Sequence, residues 1–316
     1  MEAPVIAIVV PCYNEQQALP LCIGQLKQTL NDLIVSGHIS PRSFILCCDD
    51  GSTDDTWETI KTYHASDSSI KGLSLTANRG HQNVLYAGLM YVAGRCDAAI
   101  SIDADLQDDP RAIGTMVEKF KAGADIVYGV RKDRKSDSWF KRFSAKRYYA
   151  LRRHLGLDSI PDHADCRLMS RRAIEYLSEY GEHNLFLRGI VAQLGLSADT
   201  VVYDRRPRLA GKSKYTIGRM LGLSIDGITS FSSRPLRLIL LTGVMLLLLD
   251  IAMSIYVFIS YFGHDVIPGW TSIMLSVWFL GSIMLIGLGV LGEYIGKIYV
   301  EVKQRPRYQI KETLND

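Results

Sequence analysis

Paired cysteines are missing from this sequence. Its six cysteines, Cys12, Cys22, Cys47, Cys48, Cys96 and Cys166, contain no C-x-x-C spacing. That pattern argues against a zinc site or a disulfide framework and for reduced packing residues. No signal peptide is visible either: the chain starts Met1-Glu2, and its first apolar run, Val5–Val10, stops at Pro11. A cytosolic N-terminal domain is therefore expected. There is no internal repeat and no low-complexity segment. The net charge of +3 is too small to select a partner by itself.

Charge is also absent where it matters most. Leu238–Phe262 is 25 positions interrupted only by Asp250, and Trp270–Leu291 is 22 positions without a charge. At ~1.5 Å per residue each run is long enough to cross a hydrocarbon core. The connecting loop 263–269, GHDVIPG, has no Lys or Arg. Arg219, Arg234 and Arg237 precede the first run, and Lys297, Lys303, Arg305 and Arg307 follow the second. The positive-inside rule then predicts a transmembrane hairpin with both termini cytoplasmic. Asp250 is a functional candidate because an intramembrane carboxylate is costly, with an oligomer contact or a Ser254 partner as the simpler alternative. Gly292 and Gly296 offer a weak helix-packing face.

The rest of the chain is a mixed globular sequence. Val5–Val10 suits a strand buried on both faces, and a helical pattern follows to about Leu33. SFILCCDD, GLSL, AAISID and ADIVYG read as further strands, separated by helices over Thr53–His64, Gln82–Val92 and Pro110–Lys121. Such alternation predicts an α/β fold with a doubly wound, mainly parallel, Rossmann-like sheet. In these sheets ligands bind beyond the carboxyl ends of the strands. Three polar clusters stand at predicted strand ends: PCYNE (11–15), DDGSTDD (49–55) and DADLQDD (103–109). They should line one cleft.

Four aspartates fall within the seven positions 103–109. On a strand, Asp103 and Asp105 would point the same way, and Gln107 could add a neutral oxygen. Hard oxygen ligands of this kind suit Mg²⁺ or Mn²⁺ carrying a diphosphate. Asp108 and Asp109 precede Pro110 and read as helix-capping acids. In DDGSTDDT, Gly51 permits a tight turn and Ser52 or Thr53 could cap the next helix. Asp49-Asp50 is open between that structural reading and an acceptor for a base or ribose. NRGH (78–81) reads as a glycine turn.

Two basic stretches remain. Residues 131–153 hold ten Lys or Arg interleaved with aromatics. A nucleic-acid surface could look similar, but the spacing of Phe140, Phe143, Arg147, Ala150 and Leu151 favours a cationic amphipathic helix on anionic lipid, so no nucleic acid is expected. RRPRLAGKSK (205–214) supplies guanidinium groups suited to phosphate. Ile217, Leu221, Ile225 and Ile228 then form one apolar stripe, as in an interfacial helix.

With VVPCYNE, DDGSTDDT, DADLQDDP, DCRLMSR (165–171), RLAGKSKY (208–215), DGITSFSSRPLR (226–237) and LGEYIGKIYVEVKQRPRY (291–308) in place, the sequence resembles family-2 glycosyltransferases of the GT-A fold. More closely, it is similar to polyprenyl-phosphate glycosyltransferases typified by bacterial bactoprenol glucosyltransferases. Single motifs are common, but the ordered set with a C-terminal hairpin is specific.

That resemblance implies inverting transfer of one sugar, glucose being the expected one, from a UDP-sugar to undecaprenyl phosphate. The reaction would occur on the cytosolic face of a bacterial inner membrane and serve cell-envelope glycan or O-antigen modification. By position, Pro11, Tyr13, Asn14, Glu15, Asp50, Asp103 and Ala104 would hold the nucleotide sugar. Asp103, Asp105 and Gln107 would hold the metal. Arg131, Arg208 and Lys214 would contact donor or acceptor phosphates. Asp105, Asp165 and Arg131 would be catalytic. The implied plan is a GT-A domain over 1–210, a juxtamembrane region over 211–236, two spans within 237–292 and a cytosolic tail over 293–316. A homo-oligomer is expected, a tetramer being one form the resemblance allows.

A related transferase of 4-amino-arabinose, N-acetylhexosamine, galactose or mannose is the alternative within enzymes. A non-catalytic lipid-binding or translocating subunit is the alternative outside them. No tryptophan follows an arginine, so the Gln-x-x-Arg-Trp motif of processive polysaccharide synthases is missing. Residues 31–44 are longer than expected between the first helix and second strand, away from the cleft.

Overall fold

The structure is a computed structural model. It describes residues 2–131, 163–182, 185–204 and 269–315, with eight single helical positions between Leu236 and Ile255. The first half alternates as expected: β1 (Ile6–Cys12), α1 (Leu19–Val35), β2 (Phe44–Asp49), α2 (Thr56–Ser66), β3 (Ile70–Leu75), α3 (His81–Val92), β4 (Ala98–Ser101), α4 (Ala112–Lys121) and β5 (Ile126–Arg131). Next come β6 (His163–Ser170), α5 (Arg171–Ser178), α6 (Leu187–Gln193), β7 (Ala198–Tyr203), α7 (Trp270–Lys303) and β8 (Ile310–Leu314).

The eight strands form one sheet in the order β7-β5-β6-β4-β1-β2-β3-β8. Pairings β4–β1, β1–β2, β2–β3 and β5–β7 are parallel, whereas β6 runs antiparallel to both β4 and β5, and β8 antiparallel to β3. The mainly parallel expectation thus becomes a mixed sheet. The two strands that break the parallel pattern are β6, inside the sheet, and β8, at its edge.

β1 is central, and Ala7, Ile8, Val9 and Val10 are each 0% exposed, as expected for a strand covered on both faces. α1 packs its stripe Leu19, Cys22, Ile23, Leu26 and Leu30 onto the sheet, at the spacing of one helical face. α3 lies closer to the sheet than a side chain would permit: a Cβ on Gly88 would fall 2.6 Å from both Cys48 Sγ and Val9 Cγ1. All six cysteines are free and buried, in the packing role the sequence suggested.

The C-terminal residues form elements that the sequence reading did not name. α7 continues to Lys303, well past Leu291, and Gln304 ends it in the left-handed region at φ 45°. The chain then returns as β8 along β3, and Trp57 Nε1 donates to a Glu312 carboxylate oxygen at 2.9 Å. This covers the outer edge of β3 with an antiparallel strand. The sheet, its helices and β8 form one compact unit, and α7 belongs to a second. Among the described residues one helical stretch, Phe279–Lys303, is long and apolar enough to cross a membrane. The first expected span and Asp250 lie outside the described residues, apart from scattered helical positions.

Two outcomes test this packing. Gly88→Ala should lower unfolding stability by about 1–3 kcal/mol through overpacking, read as the urea midpoint; an unchanged midpoint would mean that α3 can lift off the sheet. Burial pushes the Cys96 thiol up to about 12, with nearby Asp97 adding to the rise and Arg171 opposing it. A raised thiol pKa leaves almost no thiolate at pH 8, so Cys96 should resist iodoacetamide until the protein is unfolded, as peptide mass mapping would show.

Candidate active site

β4, β1 and β2 are parallel neighbours, so their carboxyl ends open on one edge of the sheet. The loops after β1 and β2 are laced together there. Asn14 N–H donates to Ser52 Oγ at 2.9 Å, Thr53 N–H donates to Asn14 Oδ1 at 2.9 Å, and Glu15 N–H donates to Thr56 Oγ1 at 3.0 Å. Asn14 adopts φ 52°, a conformation that asparagine tolerates better than most side chains. Ser52 and Thr53 therefore serve the partner loop and do not cap α2, which begins three residues later than the sequence suggested, at Thr56. Asp54 instead accepts the Thr56 N–H. Pro11, within β1, is buried and Tyr13 is 36% exposed.

The Asp49-Asp50 pair has separable tasks. Asp49 accepts hydrogen bonds from Ser74 Oγ at 2.9 Å and from Ser52 N–H at 3.1 Å, so it ties β2 to β3 and closes its own turn. Asp50 is 1% exposed and accepts the backbone N–H groups of Arg79 at 2.7 Å and Gly80 at 2.9 Å. Burial raises its pKa, and the two backbone donors oppose that rise. Glycine is required at Gly51, with φ +64° and the carbonyl carbon of Ala77 2.7 Å from where a Cβ would sit. NRGH is thus a turn, as expected, but one held by the acid at a neighbouring strand end.

The metal-type aspartates sit differently from the expectation. β4 ends at Ser101, so Asp103 and Asp105 occupy the following loop and are not alternate residues of a strand. Leu106, at φ 51°, bends that loop sharply. Asp105 Oδ1 accepts the Gln107 N–H at 3.2 Å, while Ala104 and Gln107 are buried at 4% and 6% exposed. Asp108 is 1% exposed, so it is part of the loop's interior and no surface cap. Asp109 does accept the Arg111 N–H at 3.1 Å, one residue before α4. Burial pushes the Asp103 carboxyl up to about 6, with Asp165, Asp108 and Asp105 adding to the rise and His81 opposing it.

Asp165 reaches this edge because β6 is antiparallel: its first residues lie beside the last residues of β4, and Ser101 Oγ donates to the Asp165 carbonyl at 2.6 Å. Arg188 Nε and Nη2 each donate to one Asp165 carboxylate oxygen at 2.8 Å. His81 Nε2 stands 3.7 Å from both Asp103 Oδ1 and Asp165 Oδ2. Burial alone would raise the Asp165 carboxyl, but Arg188, His81 and Arg167 outweigh it and hold it well below the usual carboxylate range. Sequence reasoning missed both His81 and Arg188. His81 was absorbed in a turn motif. Arg188 had one signal, as the only charged residue between Asn184 and Ala198.

Among the described residues, no three His, Cys, Asp or Glu side chains form a closed metal-ligand group. The donor set still fits Mg²⁺ or Mn²⁺, which bind through one or two carboxylates and share their remaining positions with water and phosphate. The crowding of carboxylates around Asp103 is the repulsion such an ion would relieve. Arg131 is the last residue of β5, paired with Tyr203 in register. Its side chain, together with Arg208, Lys214, the basic stretch after Arg131 and the juxtamembrane apolar stripe, lies outside the described residues.

The model of the family "Glycosyl transferase family 2" matches residues 7–177. An uncharacterized glycosyltransferase of Bacillus subtilis (strain 168) is 46% identical over 307 residues, covering 97% of this chain and 91% of that protein. The bactoprenol glucosyl transferase of Shigella phage SfII is 39% identical over 313 residues, covering 98% of each. Among solved structures, glucosyl-3-phosphoglycerate synthase from Mycobacterium tuberculosis with Mn²⁺, UDP and phosphoglyceric acid shows a looser likeness. It is 18% identical with a TM-score of 0.47, covering 72% of this chain and 76% of that one.

Because Asp50 holds the 78–81 turn through two backbone donors, Asp50→Ala should cost about 1–3 kcal/mol of stability, the range for buried groups left without their hydrogen-bond partner. Hydrogen exchange should become faster at the Arg79 and Gly80 amides first. Unchanged protection there would show that the turn holds without the carboxylate.

Proposed function

Since the chain belongs to glycosyl transferase family 2, and is a glycosyltransferase, we propose that it moves a single glucosyl group from UDP-glucose to undecaprenyl phosphate at the cytosolic membrane face. The observation that carries this reading is the alignment with a bactoprenol glucosyl transferase over 98% of the chain, which includes both the acidic sheet edge and the apolar helix. The exposed side chains of α7 support it: Ile273, Met284, Leu285 and Ile286 are each at least 65% exposed, a surface that lipid satisfies and water does not.

In the inverting reaction an acceptor phosphate oxygen attacks the anomeric carbon from the face opposite the diphosphate. The new bond is phosphate oxygen to carbon, and the bond to the UDP oxygen breaks, so the leaving diphosphate gains negative charge. A bound Mg²⁺ or Mn²⁺ supplies stabilisation of that charge. Asp103 and Asp105, with Gln107 beside them, are the residues that would hold the ion. Pro11, Tyr13, Asn14, Glu15, Asp50, Asp103 and Ala104 are the residues that would hold the nucleotide sugar. Arg131, Arg208 and Lys214 would neutralise the phosphates.

The nucleophile needs little help losing a proton, because a phosphate monoester's second pKa is about 6. Asp165 is therefore assigned to positioning and electrostatic stabilisation near the reacting carbon, and Arg131 to charge stabilisation in the same step. A two-span hairpin with cytosolic termini, residence in a bacterial inner membrane and homo-oligomerisation up to a tetramer complete the proposal. Product sugar would be passed on for cell-envelope glycan or O-antigen modification. Other sugars, 4-amino-arabinose among them, differ from glucose only by a few pocket contacts, and a donor panel separates them.

The test is transfer of label from UDP-glucose to undecaprenyl phosphate by purified protein, with Mn²⁺, Mg²⁺ or EDTA. Label should enter the lipid phase only with metal, and Asp105→Asn should lower the rate by at least about 100-fold, the scale of losing a charge-stabilising group. Full activity in EDTA would overturn the metal assignment. Transfer from another nucleotide sugar alone would overturn glucose.

A further inference from the structure

Arg188 has a place in the site that its exposure does not explain. Its side chain is 40% exposed and Asp165's is 22% exposed, yet the two make a two-pronged pair with both bonds at 2.8 Å. Two parallel N–H bonds to one carboxylate fix its rotation as well as its charge. The backbone that presents Arg188 is itself held from two sides. Leu187 N–H donates to Gln82 Oε1 at 2.8 Å, and the Leu187 carbonyl accepts from Arg167 Nη1 at 3.4 Å. Arg167 is 2% exposed and also reaches Asp165 Oδ1 through Nη2 at 3.4 Å.

The two anchors come from separate elements. Gln82 lies in the first turn of α3, directly after His81, which faces both Asp103 and Asp165. Arg167 lies on β6, two residues after Asp165. A residue needed only to neutralise Asp165 could be any mobile surface cation. Here a buried arginine and a glutamine hold the peptide before it, which is the construction expected when the orientation of the carboxylate matters.

We propose that Arg188 is a positioning residue that acts through Asp165, holding its carboxylate at the angle needed beside the reacting carbon, and that Gln82 and Arg167 set Arg188 by gripping Leu187. This deepens the proposed function and rests on its placement of Asp165 near the reacting centre. Arg188 touches no reacting atom in this scheme. Its loss therefore lowers turnover and leaves donor binding in place.

A double-mutant cycle on the full-length protein tests it, with kcat and donor KM measured for lipid transfer and melting followed by circular dichroism. Arg188→Met should lower kcat about 100-fold, the scale of a small misplacement of a reacting group, with donor KM within about twofold of wild type. Arg188→Lys should recover less than about tenfold, because an ammonium cannot hold both oxygens at once. Asp165→Asn with Arg188→Met should be within about threefold of Asp165→Asn alone, since residues acting as one unit are not additive.

Gln82→Leu should show the same signature at about tenfold, and it carries the test if Arg188→Met fails to fold. An unchanged kcat in Arg188→Met, a loss confined to donor KM, or losses that multiply with Asp165→Asn would each overturn the proposal. If wild-type protein transfers nothing from UDP-glucose, the donor assignment fails. The cycle is then read on whichever nucleotide sugar the wild type consumes, with the same expected and overturning outcomes.

Discussion

Like charges crowded at one edge of a sheet constrain everything else in this molecule. Asp49, Asp50, Asp103, Asp105 and Asp165 meet where β4, β1, β2 and β6 end or begin. Two carboxylates about 4 Å apart repel by roughly 4 kcal/mol at the effective dielectric of a protein surface. The fold answers most of them with donors aimed at a particular oxygen. Asp49 has a serine and a backbone amide, Asp50 two amides, Asp105 one amide and Asp165 a guanidinium fork. At Asp103 burial and three other carboxylates raise the pKa, and His81 opposes the rise. The proposed cation would relieve that crowding.

Topology assembles this edge from distant sequence. Parallel crossovers bring the ends of β1, β2 and β4 together, and the antiparallel entry of β6 adds Asp165, whose carbonyl meets a Ser101 hydroxyl 64 positions away. α3 then supplies both His81 and Gln82 from one helical turn, so a single element faces the aspartates and braces α6. Further along the same helix, Gly88 allows α3 to sit close on the sheet.

The residues just before β8 add a second constraint on α3. Arg307 lies over the Tyr86 ring at 4.7 Å and donates to the Tyr180 carbonyl at 2.8 Å, while Tyr308 meets Tyr86 edge-on at 6.4 Å between ring centroids. Tyr86 is on α3. The chain that emerges from the apolar helix is thus bound back into the sheet-bearing unit against the helix that carries His81.

Much of this was legible in the residues alone. Alternating apolar runs specify strands and helices because burial on both faces demands unbroken hydrophobicity, and β1 to α4 follow that pattern closely. Polar clusters after apolar runs mark strand ends, so the gathering of three acidic loops at one edge of the sheet was readable, as was one long apolar helix, since a run of that length is visible in composition alone. Boundaries were less so: Ser52 and Thr53 look like caps locally, but both hydrogen-bond to Asn14 in the loop after β1. Tertiary structure alone decided the direction of β6, the return of β8 to the sheet, and the convergence of His81, Arg167 and Arg188 on Asp165. Those choices rest on contacts between residues tens of positions apart, and local propensity and periodicity carry no information about which distant partner a side chain will meet.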